Sequence, residues 1–209
     1  MRLRNVKGAN EIIEKSNYII KDYKKYKGKF KEIFNNKNEI HIEIGMGKGD
    51  FIIEMALQNP NINFIGIEKF DSVMVRAVQK LEGLEIKNLK LIRMDALEID
   101  EVFDKEINTI YLNFSDPWPK ERHEKRRLTS EVFLKKYDTI FNNKKTIIQK
   151  TDNRKLFEYS IMTLNNYGYQ IDELSLDLYK DDIKNNVQTE YEKKFVELGN
   201  VIYKISVHK

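Results

Sequence analysis

Cysteine is absent from the 209 residues, which excludes disulfides, thiolate metal sites and cysteine nucleophiles. Histidine is scarce: His41, His123 and His208 stand far apart, too scattered for a histidine zinc site, and no metal is expected. No apolar run approaches the roughly 20 residues that cross a bilayer. The N-terminus carries no signal-peptide apolar stretch, so no membrane association and a cytoplasmic location are expected. Neither sign of charge dominates, with 37 Lys+Arg against 33 Asp+Glu. That small excess does not by itself identify a nucleic-acid binder. Proline is rare as well, at three residues, and there is one tryptophan.

The scarce residues are concentrated. Two of the three prolines and the sole tryptophan form Pro117-Trp118-Pro119. They follow the apolar run Ile110-Tyr111-Leu112-Asn113-Phe114, which reads as a buried strand. Proline fixes its own backbone and pushes the preceding residue out of helical angles, so Asp116 and Trp118 are both expected to be extended. Directly after comes Arg122-His123-Glu124-Lys125-Arg126-Arg127. An acid, an aromatic and a basic run so close together suit a polar, anionic, flat-ringed substrate.

Hydrophobic residues make up 41% of the chain, enough for one well-buried domain. Residues 1–35 read as a basic arm, with Arg2, Arg4 and Lys7, followed by helices over 9–20 and 23–34, the second crowded with lysines. From residue 36 strands alternate with helices. Strands are expected near 39–44, 63–68, 89–95, 108–114 and 146–150. Helices are expected near 51–57, 72–84, 96–103, 129–142 and 154–166. Two longer strands, 169–179 and 194–207, close the chain and can pair antiparallel as an edge hairpin. Alternation of this kind implies an α/β fold whose parallel sheet is covered on both faces. His41, within the first strand, reads as a hydrogen-bonded core residue.

Four acids then fall on one rim. Glu43, Glu68 and Asp95 end the first three strands and Asp116 follows the fourth. In a parallel sheet these ends share one edge, where ligands bind. Clustered carboxylates repel unless a ligand or donor compensates. Between the first strand and its helix stands Gly45-Met46-Gly47-Lys48-Gly49, which lets the backbone approach a ligand closely. The spacing is GxGxG, not the GxGxxG of dinucleotide folds, and Glu43 beside it would repel a diphosphate but suit a cation. Glu68 stands where an acid accepts from both hydroxyls of an adenosine ribose, and Asp95 where one accepts from the adenine amino group. Adenosine, a free diol and a cationic amino-acid tail together describe S-adenosylmethionine.

With these residues in place the chain resembles the bacterial tRNA (guanine-N7)-methyltransferase family. The resemblance rests on Glu43–Gly49, Gly66-Ile67-Glu68, Asp95-Ala96, Asn113–Lys120, Arg122-His123, Lys125–Thr129, Thr151-Asp152, Thr189–Glu192 and Tyr26-Lys27-Gly28-Lys29. Met46 departs from the smaller residue expected there. The resemblance implies the class I S-adenosylmethionine-dependent methyltransferase (Rossmann-like) fold, with a seven-stranded, mostly parallel sheet and an antiparallel C-terminal edge strand. It implies Glu43, Gly45, Gly47, Gly49, Glu68, Asp95 and Asp116 at the methyl donor, with Asp116 catalytic. It implies Lys120, Asp152, Thr189, Glu190, Tyr191 and Glu192 at the guanosine, and Arg122, His123, Glu124, Lys125, Arg126 and Arg127 along the tRNA. Trp118 either stacks on a base or packs beneath the proline turn. Two other functions fit less of the pattern: an amino-nitrogen methyltransferase on nucleic acid, and a non-catalytic RNA-binding module. Monomer and homodimer are both open.

Overall fold

The computed structural model describes residues 6–181, 183 and 186–209. Arg2 and Arg4 of the expected basic arm lie outside them. In chain order the elements are α1 (Ala9–Lys15), α2 (Phe30–Phe34), β1 (Ile40–Ile44), α3 (Asp50–Gln58), β2 (Asn63–Glu68), α4 (Asp71–Lys80), β3 (Leu89–Arg93), α5 (Ile99–Val102) and β4 (Ile107–Asn113). There follow α6 (Glu131–Ile140), β5 (Phe141–Thr151), α7 (Arg154–Asn166), β6 (Gln170–Ser175), α8 (Glu190–Glu197) and β7 (Tyr203–His208). The strands make one sheet in the order β3-β2-β1-β4-β5-β7-β6. The first five pair in parallel and β7 runs antiparallel to both its neighbours.

Every residue of β1 and β2 is buried, as expected of parallel strands covered by helices on both faces. Neighbouring residues of β2 enter opposite layers: Phe64 packs with Ile52, Met74 and Leu89, Ile65 with Ile42, Ile110 and Leu134. His41 is buried between Tyr111 and Glu39, with its Nδ1 3.2 Å from the Tyr111 hydroxyl, in the core role read from sequence.

Several segments differ from the sequence expectation. The helix expected over 23–34 breaks at Gly28 (φ 72°) into a 3-10 turn, Tyr23–Tyr26, and the short α2. The first N-terminal helix stops at Lys15 because the chain turns to pair with the sheet. Ile20 donates to the Leu91 carbonyl at 2.9 Å and Leu91 to the Tyr18 carbonyl at 2.8 Å, covering the free edge of β3. Residues 194–207 do not form one strand, for α8 occupies Glu190–Glu197 and β7 begins at Tyr203. The C-terminal strand is antiparallel as expected, but β6 takes the outermost place. Ile205 and Val207 of β7 are buried, whereas Ile171 and Leu174 of β6 are exposed. Position in the sheet follows burial.

Tyr26-Lys27-Gly28-Lys29 fastens the N-terminal segment to the core. The two oxygens of Glu106 accept from the Gly28 and Phe30 amides, each at 2.9 Å. The lysines around it turn back onto the chain: Lys24 pairs with Glu98 and Glu101, and Lys27 donates to the Asp100 carbonyl.

Met46, the departure in the glycine loop, is explained by Gly66. A Cβ at Gly66 would stand 2.3 Å from the Met46 sulfur and 3.0 Å from a Leu91 methyl. The buried thioether occupies the space that a side chain on β2 would need. Gly66→Ala should therefore destabilise the chain by about 1–3 kcal/mol through overpacking. Adding Met46→Ala should recover most of the loss, as measured by urea denaturation of both variants.

Candidate active site

Register brings the strand ends level. Ile44 of β1 pairs with Ile67, Glu68 of β2 with Arg93, and Asn113 of β4 with Lys150. Above them lies a cleft of about 310 Å³ whose walls include Gly45, Glu68, Asp95, Phe114, Asp116 and Trp118. Glu43 sits beneath the rim, 1% exposed. Its Oε1 accepts from Asn113 Nδ2 at 2.8 Å, and its Oε2 is buried without a partner among the described residues. Burial pushes the Glu43 carboxyl up to about 8, against the opposing pull of Asn113 and the Lys150 charge.

The other acids are tied to their own loops. Glu68 accepts from the Gly47, Lys69 and Phe70 amides at 3.1, 2.8 and 3.0 Å. Burial nevertheless raises its pKa, and Asp116 adds to the rise. Asp95 works against partial burial by accepting from the Leu97 amide at 3.0 Å and pairing with Lys69, which together hold it below the ordinary carboxylate value. Gly47 (φ 59°) thus offers its N–H to Glu68. Gly49 serves packing instead: with φ 79° it starts α3, and a Cβ there would meet the Ala77 Cβ of α4 at 2.9 Å.

The Asp116 turn departs from the expected extended form. Trp118 has φ 42°, a left-handed conformation that costs a non-glycine residue roughly 1–3 kcal/mol. Three neighbours hold it. Arg127 donates from Nε to the Pro117 carbonyl and from Nη2 to the Trp118 carbonyl, both at 3.2 Å. Arg126 lies 4.8 Å over the indole, and His123 meets its edge at 5.7 Å. The other face of the Arg127 guanidinium rests 4.3 Å over Tyr159. The basic run therefore divides: His123, Arg126 and Arg127 engage the turn, although Arg126 remains exposed like Arg122, Glu124 and Lys125.

Opposite stands the segment with Thr189–Glu192. Thr189 caps α8 with its hydroxyl and Glu192 returns the bond, a capping box at residues that the resemblance places at the guanosine. Glu190 pairs with Lys48 of the glycine loop at 2.6 Å. Tyr191 is 44% exposed, with its ring 5.0 Å from that of Phe114 and its hydroxyl beside Asp152. Lys120 is exposed at the turn. Sequence reasoning missed Lys150, which is 3% exposed and ion-paired with the fully buried Glu192 at 2.6 Å. Its signal was a lone cation in the apolar run Ile147-Ile148-Gln149-Lys150. It also passed over Lys69 and gave Asn113 no role.

A seven-stranded sheet of this order, with a glycine loop after its first strand and acids at successive strand ends, defines a class I S-adenosylmethionine-dependent methyltransferase fold. A solved structure described as an antibiotic related methyltransferase shares the fold at TM-score 0.65 and 18% identity, over 87% of this chain and 93% of that one. Residues 37–205 match the family model described as "Putative methyltransferase". The tRNA (guanine-N(7)-)-methyltransferase of Bacillus licheniformis is 50% identical over 98% of this chain and 97% of its own length. That of Bacillus velezensis is 51% identical over 99% and 96%. The chain belongs to the bacterial tRNA (guanine-N7)-methyltransferase family.

Arg127 gives a direct test of how the turn is held. Arg127→Ala should cost roughly 1–3 kcal/mol by orphaning two carbonyls, measured by chemical denaturation. Arg127→Lys should recover little, because an ammonium on a flexible stem does not reproduce the guanidinium fork. Arg122→Ala, at an exposed position, should stay within about 0.5 kcal/mol of the parent.

Proposed function

We propose that this chain transfers a methyl group from S-adenosylmethionine to N7 of a guanosine in tRNA, within the variable loop, giving 7-methylguanosine. The observation that carries the reading is the convergence of Glu68, Asp95 and Asp116 at one cleft beside a glycine loop, with Glu43 buried beneath its rim. The cleft's volume falls within the usual small-molecule range. The partnerless Oε2 of Glu43 suits a cationic amino-acid tail, and Glu68 and Asp95 offer acceptors to ribose hydroxyls and adenine. Gly45 and Gly47 let the backbone come close. When bound, S-adenosylmethionine supplies a methyl group on a positively charged sulfur.

Guanine N7 is a lone-pair acceptor without a proton, so the chain needs no general base for its nucleophile. What remains for it is alignment. Asp116, on its braced turn, either accepts from a guanine N–H or stabilises the positive charge that passes to the purine. Lys120, Asp152, Tyr191 and the segment Thr189–Glu192 border the base side, and Trp118 with Arg122–Arg127 lies where the tRNA would pass. We read the chain as a single domain, with residues 36–209 as its catalytic core and α1 and α2 packed into the same hydrophobic interior. One cleft per chain suffices, whether the chain works as monomer or homodimer, and a tRNA substrate fits a cytoplasmic location.

The direct experiment is incubation with labelled S-adenosylmethionine and tRNA, followed by nucleoside mapping. 7-Methylguanosine is expected, whereas N6-methyladenosine as product would replace this reading with the amino-nitrogen one. Asp116→Asn should lower the single-turnover rate by about 100-fold while tRNA affinity changes little. Near-normal rates at saturating donor and tRNA would remove Asp116 from the chemistry.

Glu43 predicts a pH dependence. Its folded-state pKa of about 8 lies above the ordinary 4.5, so the folded chain holds an extra proton between those values. Its contribution to stability is therefore lost as pH rises through that window. A cationic ligand favours the ionised form and drives the proton off. Donor affinity should therefore rise between pH 6 and 8, by up to about tenfold per unit, with proton release seen by calorimetry in two buffers. Glu43→Gln should flatten the profile.

A further inference from the structure

Lys150, at the end of β5, spends all three ammonium protons on one segment. They go to the Val187 carbonyl at 2.7 Å, Asn186 Oδ1 at 3.0 Å and Glu192 Oε2 at 2.6 Å. Its main-chain carbonyl meanwhile accepts from the Phe114 amide at 2.8 Å, where the Asp116 turn begins. One residue thus grips both walls of the site.

Glu192 is equally committed. Its Oε1 accepts from the Tyr179 hydroxyl at 2.8 Å and Asn186 Nδ2 at 2.7 Å, and its Oε2 from Lys150 and the Thr189 amide at 3.4 Å. An ionised carboxylate offers about four lone-pair directions, and four donors fill them. The Thr189 hydroxyl is occupied by the Glu192 amide at 2.9 Å. With Glu192 fully buried, its carboxylate has neither an acceptor nor a surface left for a base.

We propose that Lys150 and Glu192 form a positioning pair and do not contact the guanosine. The pair pins residues 186–192 so that Glu190 reaches Lys48 of the glycine loop and Tyr191 reaches Phe114 and Asp152. Recognition of the base from this side then falls to the exposed Tyr191 and to Asp152. The inference rests on the methyltransferase reading above and assigns the parts within it.

The test compares Lys150→Met, Glu192→Gln and the double variant with the parent chain. It reads kcat, KM for tRNA, donor Kd and amide exchange at 186–192. Misplacement of a reacting group by about 1 Å costs on the order of 100-fold, so kcat should fall by roughly 30- to 100-fold. KM and donor Kd should stay within about threefold, and exchange at 186–192 should quicken by about tenfold or more. Because the two residues act as one, the double variant should lose no more than about threefold beyond the worse single variant. Multiplying losses would show that Glu192 has its own contact with the base and overturn the proposal. So would a kcat within about threefold of the parent in the double variant, or unchanged exchange. The double variant leaves no unpaired buried charge and decides the matter if a single variant fails to fold. Failure of the parent to make 7-methylguanosine would defeat the functional reading instead, and the exchange data would then decide the positioning role alone.

Discussion

A carboxylate taken out of water must be given donors, and that constraint shapes nearly every loop at the working edge of this sheet. Glu68 gathers the Gly47, Lys69 and Phe70 amides and so binds the glycine loop to the end of β2. Asp95 gathers the Leu97 amide and Lys69. Glu192 gathers Lys150, Tyr179, Asn186 and Thr189. Away from the site, Glu106 fastens the N-terminal segment by the same means. Glu43 is the exception. One oxygen meets Asn113 and the other meets nothing among the described residues, and its pKa rises accordingly. Acids that shape loops are satisfied; the one left unsatisfied is the one the proposed cationic donor would face.

The elements legible in the sequence were those whose cause is local. β2 and α7 stand at the residues that apolar patterning indicated, and the antiparallel C-terminal pairing was readable as well. Elements set by distant partners were not. Ser16–Asp22 leaves the helical pattern because β3 offers a free edge, and nothing within those residues announces it. The site divides in the same way. The four acids follow from their places at strand ends, but the Trp118 conformation depends on Arg126, Arg127 and His123 folding back over it. Proline rules favoured an extended Trp118; a guanidinium bound to two carbonyls outweighed them. Thr189 and Glu192 could have been recognised as a capping box by their spacing alone.

Charge is sorted by the same economy. Among Arg122–Arg127, Arg122 and Lys125 face solvent, Arg126 is exposed but rests over the Trp118 indole, and Arg127 is drawn in by two carbonyls and a ring. Their positive charge still lies beside the cleft, with Arg126 among its lining residues. A run that reads as one basic patch in the sequence is two things in the fold: a brace for the Asp116 turn and an outward strip available to phosphate. Arginine suits the first because its planar fork meets two carbonyls and a ring at once.

Topology explains why the two ligands would meet at Asp116. The strand order reverses between β1 and β4, since β2 and β3 lie on one side of β1 and β4, β5 and β7 on the other. A crevice forms outside the strand ends at such a switch point. Glu43 and Glu68 stand at the ends of β1 and β2 and Asp95 two residues beyond β3, so these three acids, the proposed donor contacts, fall on one side of it. Lys150 near the end of β5 and Asp152 just beyond it, with α8 packed over them, stand on the other, where the proposed base would lie. Asp116 follows β4, the first strand beyond the reversal. In the proposed reaction the methyl group would pass from donor to base at that point. The side chain stationed there is a carboxylate, on a turn braced by Arg127 and begun from the Lys150 carbonyl.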